Sequence, residues 1–209
     1  MAIIIQKELN GCLLGIWKIT EDYYTLNSMM SLDMEEISML NGFGNENRKV
    51  EWLSVRALAK GMTGKDSRII YNEKHKPFLK GMAFNISISH SKNLTSIFMS
   101  KDKRVGIDLE FMSHKINTVS NKFINSQEYI TDDPELNLYH LYIHWCGKEA
   151  IYKICDKQEI NFKENLTLFP FEPKPSGTVK ARLLNNHGIE DFVLNYQMIE
   201  GYSIVWTCK

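Results

Sequence analysis

Hydrophobic and polar positions along the chain switch between a two-residue period and a helical one. Two apolar runs, Ala2–Leu9 and Cys12–Ile19, flank Asn10-Gly11, a dipeptide suited to the tight turn of a β-hairpin, and predict two paired strands. Helical spacing follows. Asp33 stands three residues before Glu36, the pattern of a capping residue with an acid at the third helical position. Asn45–Gly61, rich in Glu, Arg, Lys, Leu and Ala, predicts a helix that stops at Gly61. A short strand at Arg68–Tyr71 and a basic turn at Asn72–Pro77 then lead into an expected three-strand meander: Phe84–His90, Leu94–Met99 and Arg104–Glu110. Adjacent pairing in that meander would bring His90 toward its third strand. Helical patterning returns over Lys115–Asn125 and Glu135–Cys155, and strands over Leu166–Phe169, Thr178–Leu184, Phe192–Ile199 and Tyr202–Cys208, with Glu200-Gly201 as the last hairpin turn.

Each half of the chain therefore reads as strand, helices, then strands. The expectation is an α+β fold of two similar subdomains, 1–104 and 105–209, each a small antiparallel sheet packed with helices. Composition narrows the functional classes. Lys+Arg and Asp+Glu are both 25, so the basic excess of a duplex nucleic-acid binder is missing. No stretch reaches the roughly 20 apolar residues of a membrane span, and the short apolar run after Met1 lacks the charged lead of a signal peptide. Cys12, Cys146, Cys155 and Cys208 are scattered and read as reduced thiols. These features predict a cytoplasmic protein that binds neither nucleic acid nor membrane.

Candidate chemistry begins in Arg104–Glu110. Val105, Ile107 and Leu109 fall on one face of a strand and suit a core, while Gly106, Asp108 and Glu110 fall on the other. The two carboxylates would stand about 6.5–7 Å apart. They repel unless water, a basic neighbour or a cation lies between them, and Mg2+ takes such oxygens with phosphate completing its shell. A plain edge strand with a polar outer face shows the same pattern. In the later helix, Trp145, Glu149 and Lys153 share one side, with Lys148 beside them. Glu149 and Lys153 are either a helix ion pair, or a third acidic ligand or base flanked by phosphate-binding lysines. Gly147 costs about 1 kcal/mol relative to alanine inside a helix, which points to something approaching the backbone closely.

Arg48, Trp52, Val55 and Arg56 share a side of the earlier helix, so both arginines can serve one ligand or simply be solvated. Gly61–Ser67 has the wrong spacing for a phosphate loop and reads as an ordinary loop. His140 and His144 have the spacing of a zinc helix without a third ligand, and are expected to be packing or surface residues. Cys146 has no histidine placed to activate it.

Ile86-Ser87-Ile88-Ser89-His90-Ser91, Val105–Glu110 and Trp145–Lys153 resemble the 4′-phosphopantetheinyl transferase superfamily. The Gly-Ile-Asp-x-Glu and Trp-x-x-Lys-Glu-Ala-x-x-Lys elements, in that order, are specific as a pair. The length and the mid-chain acidic strand look like the monomeric Sfp-type branch, two similar halves in pseudo-twofold arrangement. The resemblance implies transfer of the phosphopantetheine arm of coenzyme A to a serine of an apo acyl or peptidyl carrier protein, releasing 3′,5′-ADP. It further implies that Asp108, Glu110 and Glu149 hold Mg2+ or Mn2+, that Glu149 takes the serine proton, and that Lys153 neutralises the departing phosphate. Arg48, Arg56, Lys76, Ser89, His90, Lys148 and Lys153 match positions that grip the nucleotide and its phosphates. Residues 1–104 would then supply nucleotide contacts, and residues 105–209 the metal site and catalytic helix.

Cys146 departs from the Ser or Thr frequent at its position in the family, and Gly147 stands where a small residue is usual. The implied carrier is an acidic helical domain, and Met112–Phe123, with Lys115, Lys122 and Phe123, is the candidate docking surface. An amphipathic helix packing on its own sheet would show the same pattern. Rival readings are a metal-dependent phosphodiesterase or nuclease, and a coenzyme A-binding module without turnover.

Overall fold

The computed structural model describes residues 3–66, 68–155 and 160–209. The expected strand start at Ala2 and the end of the expected loop at Ser67 lie outside the described residues. The chain divides into two compact units, Met1–Asp102 and Lys103–Lys209. Among the described residues, the strands form two antiparallel sheets, one in each unit, and both are packed with helices. The fold is α+β, as expected.

In the first unit, β1 (Ile3–Leu9) and β2 (Cys12–Lys18) meet at Asn10 and Gly11, whose φ values of 51° and 75° are those of a tight hairpin turn. Three helices follow: α1 (Tyr23–Ser28), α2 (Met34–Gly42) and α3 (Glu46–Thr63). Asp33 caps α2 as its sequence suggests, Oδ1 accepting the Glu36 N–H at 2.8 Å. Asn45 caps α3, but that helix passes its expected stop. Gly61 lies within the helix, where a Cβ would stand 2.6 Å from Ile3 Cδ1, so packing and not a helix end accounts for this glycine; Gly64, at φ 69°, ends the helix in the left-handed conformation. Strands β3 (Ile69–Tyr71), β4 (Pro77–Leu79), β5 (Asn85–Ser91) and β6 (Leu94–Ser100) complete a sheet of order β1-β2-β6-β5-β4-β3. Helix α3 buries Leu53, Leu58, Ala59 and Met62 in this unit's core.

The expected meander breaks after its second strand. β6 has both edges occupied, by β5 (Ser89↔Ser96) and by β2 (Leu14↔Phe98), so the acidic strand has no edge to join. His90 and that strand therefore belong to different sheets. The acidic strand, β7 (Val105–Phe111), opens the second unit and pairs with β11 (Tyr202–Cys208). With β8 (Leu166–Leu168), β9 (Ser176–Asn185) and β10 (Gly188–Ile199), the order is β7-β11-β10-β9-β8. Glu200 and Gly201, at φ 46° and 81°, form the β10–β11 turn.

Between β7 and β8 lie α4 (Asn137–Ile154) and the short α5 (Phe162–Asn165). The helix expected over Lys115–Asn125 is instead two 3-10 turns, His114–Thr118 and Ser120–Lys122. Thr118 Oγ1 donates to Lys115 O at 2.8 Å and Ser120 Oγ to Asn117 O at 3.1 Å. These local bonds, with β-branched Ile116, Thr118 and Val119, favour tight turns over a continuous helix.

Helix α4 lies on β7 and β11. The acidic face of β7 is not the bare outer face of a plain edge strand: it faces this helix, and a Cβ on Gly106 would stand 2.1 Å from Ala150 O. Val105, Ile107 and Leu109 are buried as well, so β7 is covered on both faces. The close approach expected at Gly147 is made by a sheet side chain, since a Cβ there would meet Leu194 Cδ1 at 2.8 Å.

His140 and His144 are fully buried beside Phe171, with ring centroids 4.5 and 5.7 Å away. His140 Nδ1 accepts the Thr131 N–H at 3.1 Å, so a second ring proton would remove an acceptor that this amide uses. Burial lowers His140 to about 4, with adjacent His144 adding to the shift.

Gly106→Ala should cost about 3 kcal/mol by forcing α4 off the strand, measurable by urea unfolding. Acidification tests His140. Between about 6.5 and about 4 the unfolded chain takes up a proton that the folded chain refuses, so stability should fall as pH drops through that window, on the order of 2–3 kcal/mol from this group. His140→Asn, which keeps an acceptor for Thr131, should flatten that part of the stability–pH curve whatever its absolute stability.

Candidate active site

The close seating of α4 on β7 gathers the second unit's chemistry. Asp108 is 4% exposed, opposite Val205 in the sheet, and Glu110 is opposite Ser203. Lys153, in the last turn of α4, reaches back to this strand. Its Nζ donates to Asp108 Oδ1 at 2.7 Å and to Ile107 O at 3.0 Å. The lysine that the sequence pairs with Glu149 along the helix is thus also anchored to the strand. A buried carboxylate needs such a partner, because an uncompensated one costs several kcal/mol.

Cys146 lies against the same strand pair, its Sγ 3.8 Å from Ser203 O. Burial pushes its thiol well above the ordinary value, and the nearby charges of Asp108 and Glu110 push it further. A thiol so held stays protonated and is no nucleophile. Glu149 is half-buried. At 100° per residue it falls between the side of α4 carrying Trp145 and Tyr152 and the side carrying Cys146 and Lys153.

Among the described residues, no three His, Cys, Asp or Glu side chains converge as a metal-binding group. The predicted trio of Asp108, Glu110 and Glu149 is therefore not drawn together as a ligand set. Its donors are nevertheless hard carboxylate oxygens on and beside one strand. Mg2+ is often held by one or two carboxylates, with phosphate and water filling the rest of its shell, so these residues suit that ion in kind.

In the first unit, α3 and β5 bring Arg48 and His90 together. Arg48 Nη1 lies 2.8 Å from His90 Nε2 and 3.1 Å from Glu51 Oε2. His90 Nδ1 is 3.6 Å from the same carboxylate, so Glu51, unmarked in the sequence, joins the two predicted residues. Ser89 is buried in β5, its carbonyl accepting Ser96 Oγ at 3.1 Å. Lys76 closes the β3–β4 turn, where Asn72 Oδ1 accepts its N–H at 2.9 Å.

Three predicted contacts are turned inward. Arg56 is 4% exposed, its Nε 3.0 Å from Glu36 Oε1 and its guanidinium 3.1 Å above the Trp52 ring. It packs into its own unit beside Glu36 and Trp52. Phe123, expected to dock a carrier, is 1% exposed and packs edge-on against Trp145; Lys115 and Lys122 remain exposed on the two turns. Lys148, expected on a phosphate, is wholly buried. Its Nζ donates to Glu128 Oε2 at 2.8 Å and lies within 2.5–3.0 Å of the carbonyls of Phe123, Phe162 and Leu166. Burial lowers the lysine, opposed by Glu128. Burial alone would raise Glu128, but His144 and Lys148 hold it below the usual carboxylate range. Glu128 was missed because a lone acid in a loop carries no periodic signal.

Residues 104–206 match the family model described as the 4′-phosphopantetheinyl transferase superfamily. Over 112 residues, 51% of its length, the chain is 30% identical to 4′-phosphopantetheinyl transferase AcpT of Escherichia coli (strain K12) and 28% identical to AcpT of Salmonella typhimurium. It spans 57% and 58% of those proteins respectively. Over 172 residues it is 23% identical to 4′-phosphopantetheinyl transferase HetI of Nostoc sp., covering 72% of this chain and 71% of HetI. The acidic strand, the helix laid across it and the match over residues 104–206 agree: over this part the chain is similar to the 4′-phosphopantetheinyl transferase superfamily.

Proposed function

We propose that this protein transfers the phosphopantetheine arm of coenzyme A to a serine of an apo carrier protein and releases 3′,5′-ADP. The observation that carries the reading is the seating of α4 on β7 at Gly106, with Lys153 bonded to Asp108 and Glu149 one turn earlier on the helix. The family model for the 4′-phosphopantetheinyl transferase superfamily matches this part of the chain.

In this reading the serine Oγ forms a bond to the pantetheine-side phosphorus of the pyrophosphate as the bond to the ADP oxygen breaks. Glu149 accepts the serine proton, making a poor nucleophile competent. Lys153 has one face on Asp108 and can neutralise charge developing on the departing phosphate. Arg48 and His90, with Lys76 and Ser89, supply contacts to the nucleotide and its phosphates. Asp108 and Glu110, with Glu149, would hold Mg2+ or Mn2+, whose chemistry is charge neutralisation at the pyrophosphate oxygens. The exposed Lys115 and Lys122 would meet an acidic carrier; Phe123 has no part in docking. The chain would act as a cytoplasmic monomer.

Intact-mass measurement of an apo acyl carrier protein, incubated with the protein, coenzyme A and Mg2+, should show a gain of one phosphopantetheine. EDTA should abolish the gain, and Glu149→Gln should slow it by about 100-fold or more. Arg48→Ala should raise the KM for coenzyme A about tenfold while leaving unfolding within ~0.5 kcal/mol of the parent. Measurable coenzyme A binding with no mass gain on any carrier would instead favour a module that binds without turnover.

A further inference from the structure

Glu128 and Lys148 form a buried, multiply hydrogen-bonded charge pair in the second unit, and no step of the proposed reaction uses it. Both side chains are 0% exposed. Lys148 has three N–H donors set among four acceptors: Glu128 and the carbonyls of Phe123, Phe162 and Leu166. Glu128 accepts from Lys148, from Asn125 N at 2.9 Å, from His144 Nδ1 at 3.2 Å and from Leu168 N at 2.8 Å. Asn125 Nδ2 closes the ring by donating to Leu166 O at 3.1 Å. One ion pair therefore joins α4, the 123–128 segment, α5 and β8.

A buried pair of this kind adds little net stability over apolar side chains of similar size. What it can fix is which segments sit against which. Glu149 directly follows Lys148, and the 123–128 segment directly follows the turns bearing Lys115 and Lys122. Trp145, one helical turn before Glu149, repeats the linkage by packing on Phe123 at 5.2 Å and Phe162 at 5.7 Å.

We propose that Lys148 and Glu128 are positioning residues that lock the lysine-bearing turns to the helix carrying Glu149, so that carrier docking and proton abstraction occur on one rigid body. The coupling to the carrier rests on the transferase reading above; the mechanical clamp does not. Without the clamp the turns loosen from the helix. A carrier then docks poorly and its serine reaches Glu149 less often, while coenzyme A, gripped through Arg48 and His90, binds as before.

The test compares the full-length parent with Lys148→Met, which keeps the stem and removes the charge. Hydrogen exchange should rise at least tenfold across residues 113–131 and stay unchanged in β10 and β11. The carrier KM should rise about tenfold with a fall in kcat, and the coenzyme A Kd should stay within twofold. A merely structural role would weaken both ligands together. Unchanged exchange in 113–131, or a coenzyme A Kd that moves in step with the carrier KM, would overturn the proposal. If Lys148→Met does not fold, Glu128→Gln, which keeps the shape and an acceptor for Lys148, carries the same comparison. A parent that modifies no carrier would sink the transferase reading, and the exchange result would still decide the clamp.

Discussion

The second unit depends on a helix backbone resting on a strand backbone. Helix α4 can approach β7 only because Gly106 has no side chain under Ala150 O. That approach buries Asp108, and a buried carboxylate demands a cation or donors within bonding distance. Lys153 answers from the same helix. Closeness, burial and charge pairing are thus consequences of a single missing Cβ. The same seating buries Cys146, and burial together with the nearby Asp108 and Glu110 charges keeps its thiol protonated.

Cations in this protein divide into two populations that spacing does not separate. Arg48 and Arg56 lie on the same side of one helix, yet Arg48 reaches the surface beside His90 and Arg56 is sealed over Trp52. Lys148 and Lys153 belong to one motif, yet the first is consumed by four interior acceptors and the second reaches Asp108. The difference lies in the acid that each one finds. Glu36 and Glu128 each stand 20 residues before their partner, a separation that no helical or strand period marks. Buried ion pairs are therefore where reading the chain for site residues goes astray, since an interior arginine and a ligand-binding one have the same letters.

Elements with local causes were legible: the Asn10-Gly11 and Glu200-Gly201 turns, the Asp33 cap, α4, and the alternation of β7. Those with distant causes were not. The sequence places the acidic strand beside Leu94–Met99, but β2 holds that edge and only the folded sheet reveals it. Ile116, Val119 and Phe123 have the spacing of a helix, but the side-chain bonds of Thr118 and Ser120 favour the turns at His114–Lys122. The motifs mark a strand and a helix that pack together, without revealing how closely the two backbones touch.

The pairing of β7 with β11 has a kinetic consequence. Asp108 and Val205 face each other across roughly a hundred residues of chain, so the sheet carrying the acidic strand closes across nearly the whole length of the second unit. Such closure is entropically slow, and it leaves an intermediate with an open, apolar edge. Because β11 is synthesised after every other strand of its sheet, β7 waits through the whole of that interval with its partner unmade. Newly made chains should for that reason be more prone to aggregate, and more dependent on chaperones, than the stability of the finished fold would suggest.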